Sequence, residues 1–310
     1  MNYKQHDYRL FFGFTAVMLA VAGCAPEIEK VVQIYPDKEF AAEALSVLRS
    51  RSENVVPFRA NGRCILRYYG EDKKPKKENF AVKLWVNPIG SPSRDGAEVR
   101  GLTTGGVNPP AQIHLQGDVA FDPKGIVLGS NEEEFWLSMK PKEISSYWWG
   151  RWSESSCSER LMIGPKTLLE ALGIAQVGGE ESWSLLKKGA FDILVERDDE
   201  NKIIKKLYIY RCDYLIRRIE YYDVNGKVVI DVGLDRYKEV SEGFFVPSAV
   251  IINSFVEGNG ENSVGITLTL RSIKAARFTE RRSNLLFSRP PPRGFKHIYK
   301  IVDGEVIEQP

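Results

Sequence analysis

The sequence predicts a mainly β fold of the α+β class: a curled antiparallel sheet of about eleven strands, or twelve counting a last one near the end, accompanied by short apolar helices. Three observations lead there. From Val55 onward most segments alternate apolar and polar residues with a period of two, between breaks of Gly, Pro, Asn or Asp. Successive runs in the second half are joined by short turns, which is the signature of a meander. Only two segments, near residues 37–50 and 165–172, carry helical spacing. A sheet of that many strands curls around whatever it covers.

The chain opens with a basic start (Lys4, Arg9) and an apolar run from Leu10 to Ala22, followed by Val21-Ala22-Gly23-Cys24 at its end. About 13 apolar residues are too few to cross a hydrocarbon core, which needs about 20, and match a secretory h-region instead. Val21-Ala22-Gly23-Cys24 resembles the bacterial lipobox. The resemblance implies that residues 1–23 are removed as a signal peptide and that Cys24 receives a diacylglycerol. The body would then face the periplasm. Two or three acyl chains on one residue make a stable anchor. Ala25 rather than Asp follows the cysteine, which in the enterobacterial lipoproteins this resembles permits sorting to the outer membrane.

Residues 24–35 read as a lipidated tether and 36–303 as the folded body, with 304–310 as a tail. Asp37 is placed to cap a helix in which Phe40, Ala41, Ala44, Leu45 and Leu48 share one face over about four turns. Strand-like segments follow near 55–69, 79–87, 111–121, 125–130, 133–139 and 145–152. Between the second and third, residues 88–110 are rich in Gly, Pro, Ser and Thr and read as an exposed insertion. Gly164-Pro165 opens and Gly173 closes a second helix, apolar most of the way round through Leu168, Leu169, Ala171 and Leu172, as a plug would be. Strands are then expected at 202–211, 214–222, 227–237, 244–255, 263–275 and 297–302, with Asn225-Gly226 as a type I′ hairpin turn.

Composition excludes several classes. Hydrophobic content of 43% and charged content of 27% are those of a globular body. Loss of the leader, with Lys4, Asp7 and Arg9, takes the net charge from +2 to +1, too small for a long-range pull on nucleic acid. Lys73-Lys74-Pro75-Lys76-Lys77 reads as a solvated hairpin turn. Beyond Cys24 the cysteines are Cys64, Cys157 and Cys212. They allow one disulfide with one thiol left over, and Cys64 and Cys212 lie in strand-like runs that could be neighbours. None forms CxxC, so all read as small buried hydrophobes.

Catalytic and cofactor signatures are sparse. His114 and His297 stand alone, Glu132 and Glu134 read as the wet side of a strand end, and Asp223-x-Asn225-Gly226 lacks the closing Glu of a calcium loop. No phosphate-cradling or dinucleotide glycine motif is present. The expectation is no catalytic residue, no metal and no cofactor. What stands out is aromatic density. Trp85, Phe135, Trp136, Trp148 and Trp149, with Leu168 and Leu172 of the plug helix, are assigned to the lining or rim of an apolar cavity. In a strand, Trp148 and Trp149 must face opposite ways.

Gly117-Asp118-Val119-Ala120-Phe121-Asp122, Gly129-Ser130-Asn131 with Phe135-Trp136, Tyr147-Trp148-Trp149-Gly150, Tyr221-Tyr222-Asp223, Phe245-x-Pro247 and Pro292-x-Gly294 fall in an order that resembles bacterial lipoproteins related to the outer-membrane lipoprotein carrier and acceptor proteins, the LolA/LolB-like superfamily. The likeness covers most of residues 37–302; the 88–110 insertion departs from it. It implies a half-open barrel around an apolar cavity, with two or three helices plugging the mouth. It also implies a membrane-anchored binder of the acyl chains of lipids or lipoproteins, with a carrier protein as partner. The alternatives are an envelope interaction or sensor module on the same fold and, more remotely, an envelope hydrolase.

Overall fold

The computed structural model describes residues 35–69, 74–88, 111–119, 122–141, 144–152, 164–174, 180–255, 263–302 and 305–309. The lipobox with Cys24, the tether up to residue 34, the 89–110 part of the insertion and Cys157 lie outside them.

The first strands are β1 (Phe58–Tyr69), β2 (Pro75–Asn87), β3 (Gln112–Val119), β4 (Asp122–Ser130), β5 (Glu134–Met139) and β6 (Ser146–Arg151). Then come β7 (Trp183–Lys188), β8 (Phe191–Arg197), β9 (Ile203–Tyr210), β10 (Leu215–Tyr222), β11 (Val228–Ser241), β12 (Phe244–Phe255) and β13 (Ser263–Ala275). The last two are β14 (His297–Val302) and β15 (Glu305–Gln309), and the helices are α1 (Ala41–Ser52), α2 (Pro165–Ala171) and α3 (Glu280–Leu286). All fifteen strands form one sheet in the order β15-β14-β6-β5-β4-β3-β2-β1-β13-β12-β11-β10-β9-β8-β7. The sheet is large, open and curled, and is not closed into a barrel. β7, β8 and β15 account for the excess over the expected count; the segment placed in the tail, 305–309, is the edge strand β15.

Among the described strands every pairing is antiparallel except β14 with β6, which runs parallel and sets Ile298 beside Tyr147. Sequence-distant pairing closes the middle of the sheet, where β1 meets β13 through Cys64↔Leu268 and a bulge at Asn61/Gly62. The bulge brings the chain so close that a Cβ on Gly62 would lie 2.2 Å from the Thr269 carbonyl oxygen, so only glycine fits.

One continuous core gathers buried side chains from β1 to β4 and from β7 to β13, together with α1 and α2. Alternation explains it. β1 buries Phe58, Ala60, Cys64, Leu66 and Tyr68 on one face while Arg59, Arg63 and Arg67 stay in water. Two smaller clusters sit on opposite faces at the β5–β6–β14 side. Trp136, Tyr147 and Val127 form one, with Trp149 packed against it; Phe135 and Ile301 form the other, with Trp148. The two tryptophans therefore diverge as a strand requires.

α1 begins at Ala41 after Phe40, with no side-chain cap, so Asp37 is not its N-cap and the helix is three turns rather than four. Asp37 is instead drawn to Arg211 (3.4 Å) and Lys187 (3.8 Å). α2 follows the sequence closely: Pro165 stands in its first turn, Gly173 is left-handed at φ +76°, and Thr167, Leu168, Leu169 and Ala171 are all buried. α3 buries no side chain and is not a plug. The β10–β11 turn is not type I′, because only Gly226 (φ +76°) has a positive φ there. The Asp223 N–H donates to the Lys227 carbonyl (2.9 Å), which leaves a three-residue loop of Val224, Asn225 and Gly226, and Asp223 Oδ1 accepts the N–H groups of Asn225 and Lys227. Cys64 and Cys212 are both free, separated in the sheet by three strands, so they form no disulfide with each other.

Candidate functional site

The inner face of the sheet offers a cleft where α1, α2 and strands β9–β12 converge. Its walls are mostly apolar, with Leu207, Leu234, Ile219 and Phe244 from the sheet, Leu48 from α1 and Ala171 from α2. Free interior volume is about 90 Å³. A cavity of roughly 150 Å³ takes one benzene, and ligand pockets are usually about 300 Å³ or more. In this conformation the side chains of the protein itself fill the space an acyl chain would need.

Polar groups tie both helices to the wall. Arg51, near the end of α1, donates from Nη1 to the Tyr214 carbonyl (2.6 Å) and from Nη2 to the Asp213 carbonyl (2.7 Å) and Tyr35 Oη (2.9 Å). Its guanidinium also lies over the Phe245 ring. On the opposite side, the sheet register aligns Glu196, Lys205 and Tyr221 in one row across β8, β9 and β10. Glu170 of α2 reaches into that row. Lys205 Nζ is 2.9 Å from Glu196 Oε2 and 3.6 Å from Glu170 Oε2, and the Tyr221 hydroxyl donates to Glu170. Lys205 also stands over the Trp183 ring at 5.3 Å.

Burial opposes the Lys205 ammonium, yet the Glu170 and Glu196 carboxylates outweigh it and hold the lysine above its ordinary value. Burial first, and then the Glu170 charge, push the Tyr221 phenol well up. Lys205, held up in this way, keeps its charge at neutral pH and stays paired with both carboxylates. It fixes the helix in place rather than offering a free acid or base.

None of the seven residues assigned from sequence to the cavity or its rim lines this cleft. Trp85 lies half-buried 5.5 Å from the His114 ring. Phe135 stacks at 4.8 Å against Trp152, Trp136 packs with Tyr147, Trp148 lies 4.3 Å from Tyr299, and Trp149 sits 4.2 Å beneath Arg289. Leu168 and Leu172 belong to the main core. β14 lies beside β6 in the sheet and adds Ile298 to one face of the aromatic cluster and Ile301 to the other, while Phe295 packs against Tyr147 and the Tyr147 hydroxyl donates to the Pro290 carbonyl. Glu170, Glu196 and Lys205 form no sequence motif, yet one of them carries a local signal. In Ile203–Tyr210, Lys205 occupies the same phase as Ile203, Leu207 and Ile209, which puts a lysine on the dry face.

The carboxylates considered for hydrolysis do not converge. Glu132 is exposed ahead of β5, whereas Glu134 is paired with Arg289 Nε at 2.8 Å. Among the described residues no group of His, Cys, Asp and Glu is arranged to hold a metal ion, and no helix is long and apolar enough to cross a membrane.

Solved structures that resemble the chain include an outer membrane lipoprotein-sorting protein domain from Vibrio parahaemolyticus, with 12% identity and a TM-score of 0.48, covering 80% of this chain and 100% of that one. A LolA superfamily protein from Nitrosomonas europaea aligns at 14% identity and 0.44, covering 79% and 97%. A DUF1329 family protein from Desulfovibrio piger aligns at 11% and 0.46, covering 78% and 96%. No protein-family model and no curated protein matches the chain.

Proposed function

We propose that the protein is a non-catalytic binder of acyl chains, tethered to the envelope membrane through Cys24 and facing the periplasm, probing lipids or lipoproteins with the cleft beneath α1 and α2. The observation that carries this reading is an apolar cleft roofed by two separate helices rather than by a strand. The α2 roof is only seven residues long and is held to the wall by Glu170. Because the free volume is about 90 Å³, a chain can enter only if α2 moves aside. Each methylene then buried contributes ~0.8 kcal/mol, so one or two chains offset the loss of the α2 contacts.

The second reading, an interaction or sensor module with a filled interior, draws on that same small volume. A single experiment separates them. The full chain carrying Cys24→Ser, titrated with a fluorescent fatty acid or a diacylated peptide, is expected to bind in the micromolar range or tighter. Leu234→Trp, which fills the cleft, should reduce affinity at least about tenfold. Absence of binding by the folded protein leaves the interaction module; binding that Leu234→Trp does not weaken removes the cleft from the account.

A further inference from the structure

The reverse side of the sheet carries a second feature, independent of the cleft. We propose that the outer face of β13, β1 and β2 docks on the surface of an anionic phospholipid bilayer. In the register of the sheet, Arg59 stands directly opposite Lys274, and Arg67 directly opposite Lys77. Arg63 lies between the two arginines on the same face, and Lys83 is opposite Asn61 in the gap. All six cations are exposed. Like charges directly opposed on one sheet face destabilise the pairing unless an anion lies over them.

The protein supplies no such anion on these three strands. Their single acidic residue, Glu78, pairs with the buried Leu66 and so belongs to the other face. Among the described residues, β3 next to them offers one acid on the outer face, Asp118, whose charge reaches Lys83 but whose Oδ1 already accepts the Lys124 N–H (3.0 Å) and the Gln116 amide (3.2 Å). Arg67 makes a hydrogen bond, but to a neutral hydroxyl, Thr267 Oγ1.

Dimensions and chemistry favour a bilayer. The eight steps from Arg59 to Arg67 span about 26 Å at roughly 3.3 Å each, the reach of several headgroups rather than of one phosphate. Two apolar side chains interrupt the cations: Ile65 and Ile251 stand in one row across β1, β13 and β12, on either side of Thr267, and Ile251 is 42% exposed. The chain leaving β13 extends the same character. Residues 276–296 hold six Lys or Arg against one acid, Glu280, in a chain of net charge +2. On α3, Arg281 and Arg282 flank the apolar Leu285, which is 76% exposed. Cations with protruding aliphatic groups suit a surface of anionic headgroups over hydrocarbon. A soluble polyanion has no use for the aliphatic groups.

The test uses the full chain with Cys24→Ser, so that no acyl anchor forms, and co-sedimentation with vesicles. One set is phosphatidylcholine alone and the other an equal mixture with phosphatidylglycerol. The apolar leader contributes equally to both, so the difference reads charge. At low salt the anionic vesicles should bind at least about tenfold more tightly, and the preference should fade as salt is raised. Arg59→Ser/Arg63→Ser/Lys83→Ser should abolish it, whereas the charge-matched Lys188→Ser/Lys202→Ser/Lys227→Ser elsewhere on the protein should keep it. If circular dichroism shows the first triple unfolded, Arg281→Ser/Arg282→Ser on α3 makes the same test. No preference for anionic vesicles, equal loss in both triples, or tighter binding to dextran sulfate than to the vesicles overturns the proposal.

Discussion

Lys205 shows how a single residue can be legible in kind and hidden in role. Its phase in β9 marks it as inward-facing, but only the fold brings Glu196, Tyr221 and Glu170 around it. His114 is a parallel case, read from sequence as an isolated strand histidine. Its Nδ1 is buried without a hydrogen-bond partner, close to α3 and Trp85. Burial, helped by the Lys124 charge and opposed by a hydrogen bond to the Leu286 backbone, lowers its pKa to about 4. The unfolded chain takes up that proton near 6.5. The contribution of His114 to stability is therefore complete above about pH 6.5 and is lost as pH falls toward 4, amounting to ~3 kcal/mol at most. Urea unfolding at pH 7.5 and pH 4.5 should show this acid loss, and His114→Gln should flatten it. An equal loss in both proteins would mean that other groups cause it.

At the scale of elements, period-two runs and helix punctuation were read correctly where local chemistry decides them, as in α2 between Pro165 and Gly173. They failed where a neighbour decides. α1 starts at Ala41 because Asp37 is drawn toward Arg211 and Lys187, contacts made far along the chain. The Asn225-Gly226 dipeptide did mark a hairpin, yet Asp223 captured two backbone N–H groups and shifted the turn to a longer type. Only Gly226 is then left-handed, with open space around it. Gly226→Ala should cost ~1 kcal/mol through backbone strain alone. Asn225→Gly should bring no gain, since Asn225 does not need positive φ. Thermal melts of the two variants distinguish this turn from a type I′ turn, in which position 225 would favour glycine.

For the whole molecule, an open sheet of fifteen strands has two edges, β7 and β15. Open edges invite pairing with another chain, and charged residues discourage it. β7 ends in Lys187 and Lys188, while β15 carries Glu305 and Glu308, the latter 2.8 Å from His297 Nδ1. Val306 and Ile307 between those carboxylates are exposed at 36% and 49%. Glu305→Val/Glu308→Val should accordingly convert a monomeric preparation to dimers or larger species. Size-exclusion chromatography with light scattering reads the change, and a variant eluting as the parent does at matched concentration would show that the carboxylates do not guard this edge.

The sequence by itself determined where most strands run, which residues of each face inward, and that short apolar helices must be covered. Those properties depend on side-chain alternation and backbone conformation within a few residues. Only the tertiary structure decided that β1 pairs with β13, that β14 runs parallel to β6, that Trp136 and Trp183 are buried while the other tryptophans are half-buried, and that a small cleft with a half-buried lysine lies elsewhere. It alone revealed a face where cations oppose cations. The reason is that each strand end offers the same backbone donors and acceptors to every other strand. The choice among them is made by the fit of whole faces, which no local window of residues contains.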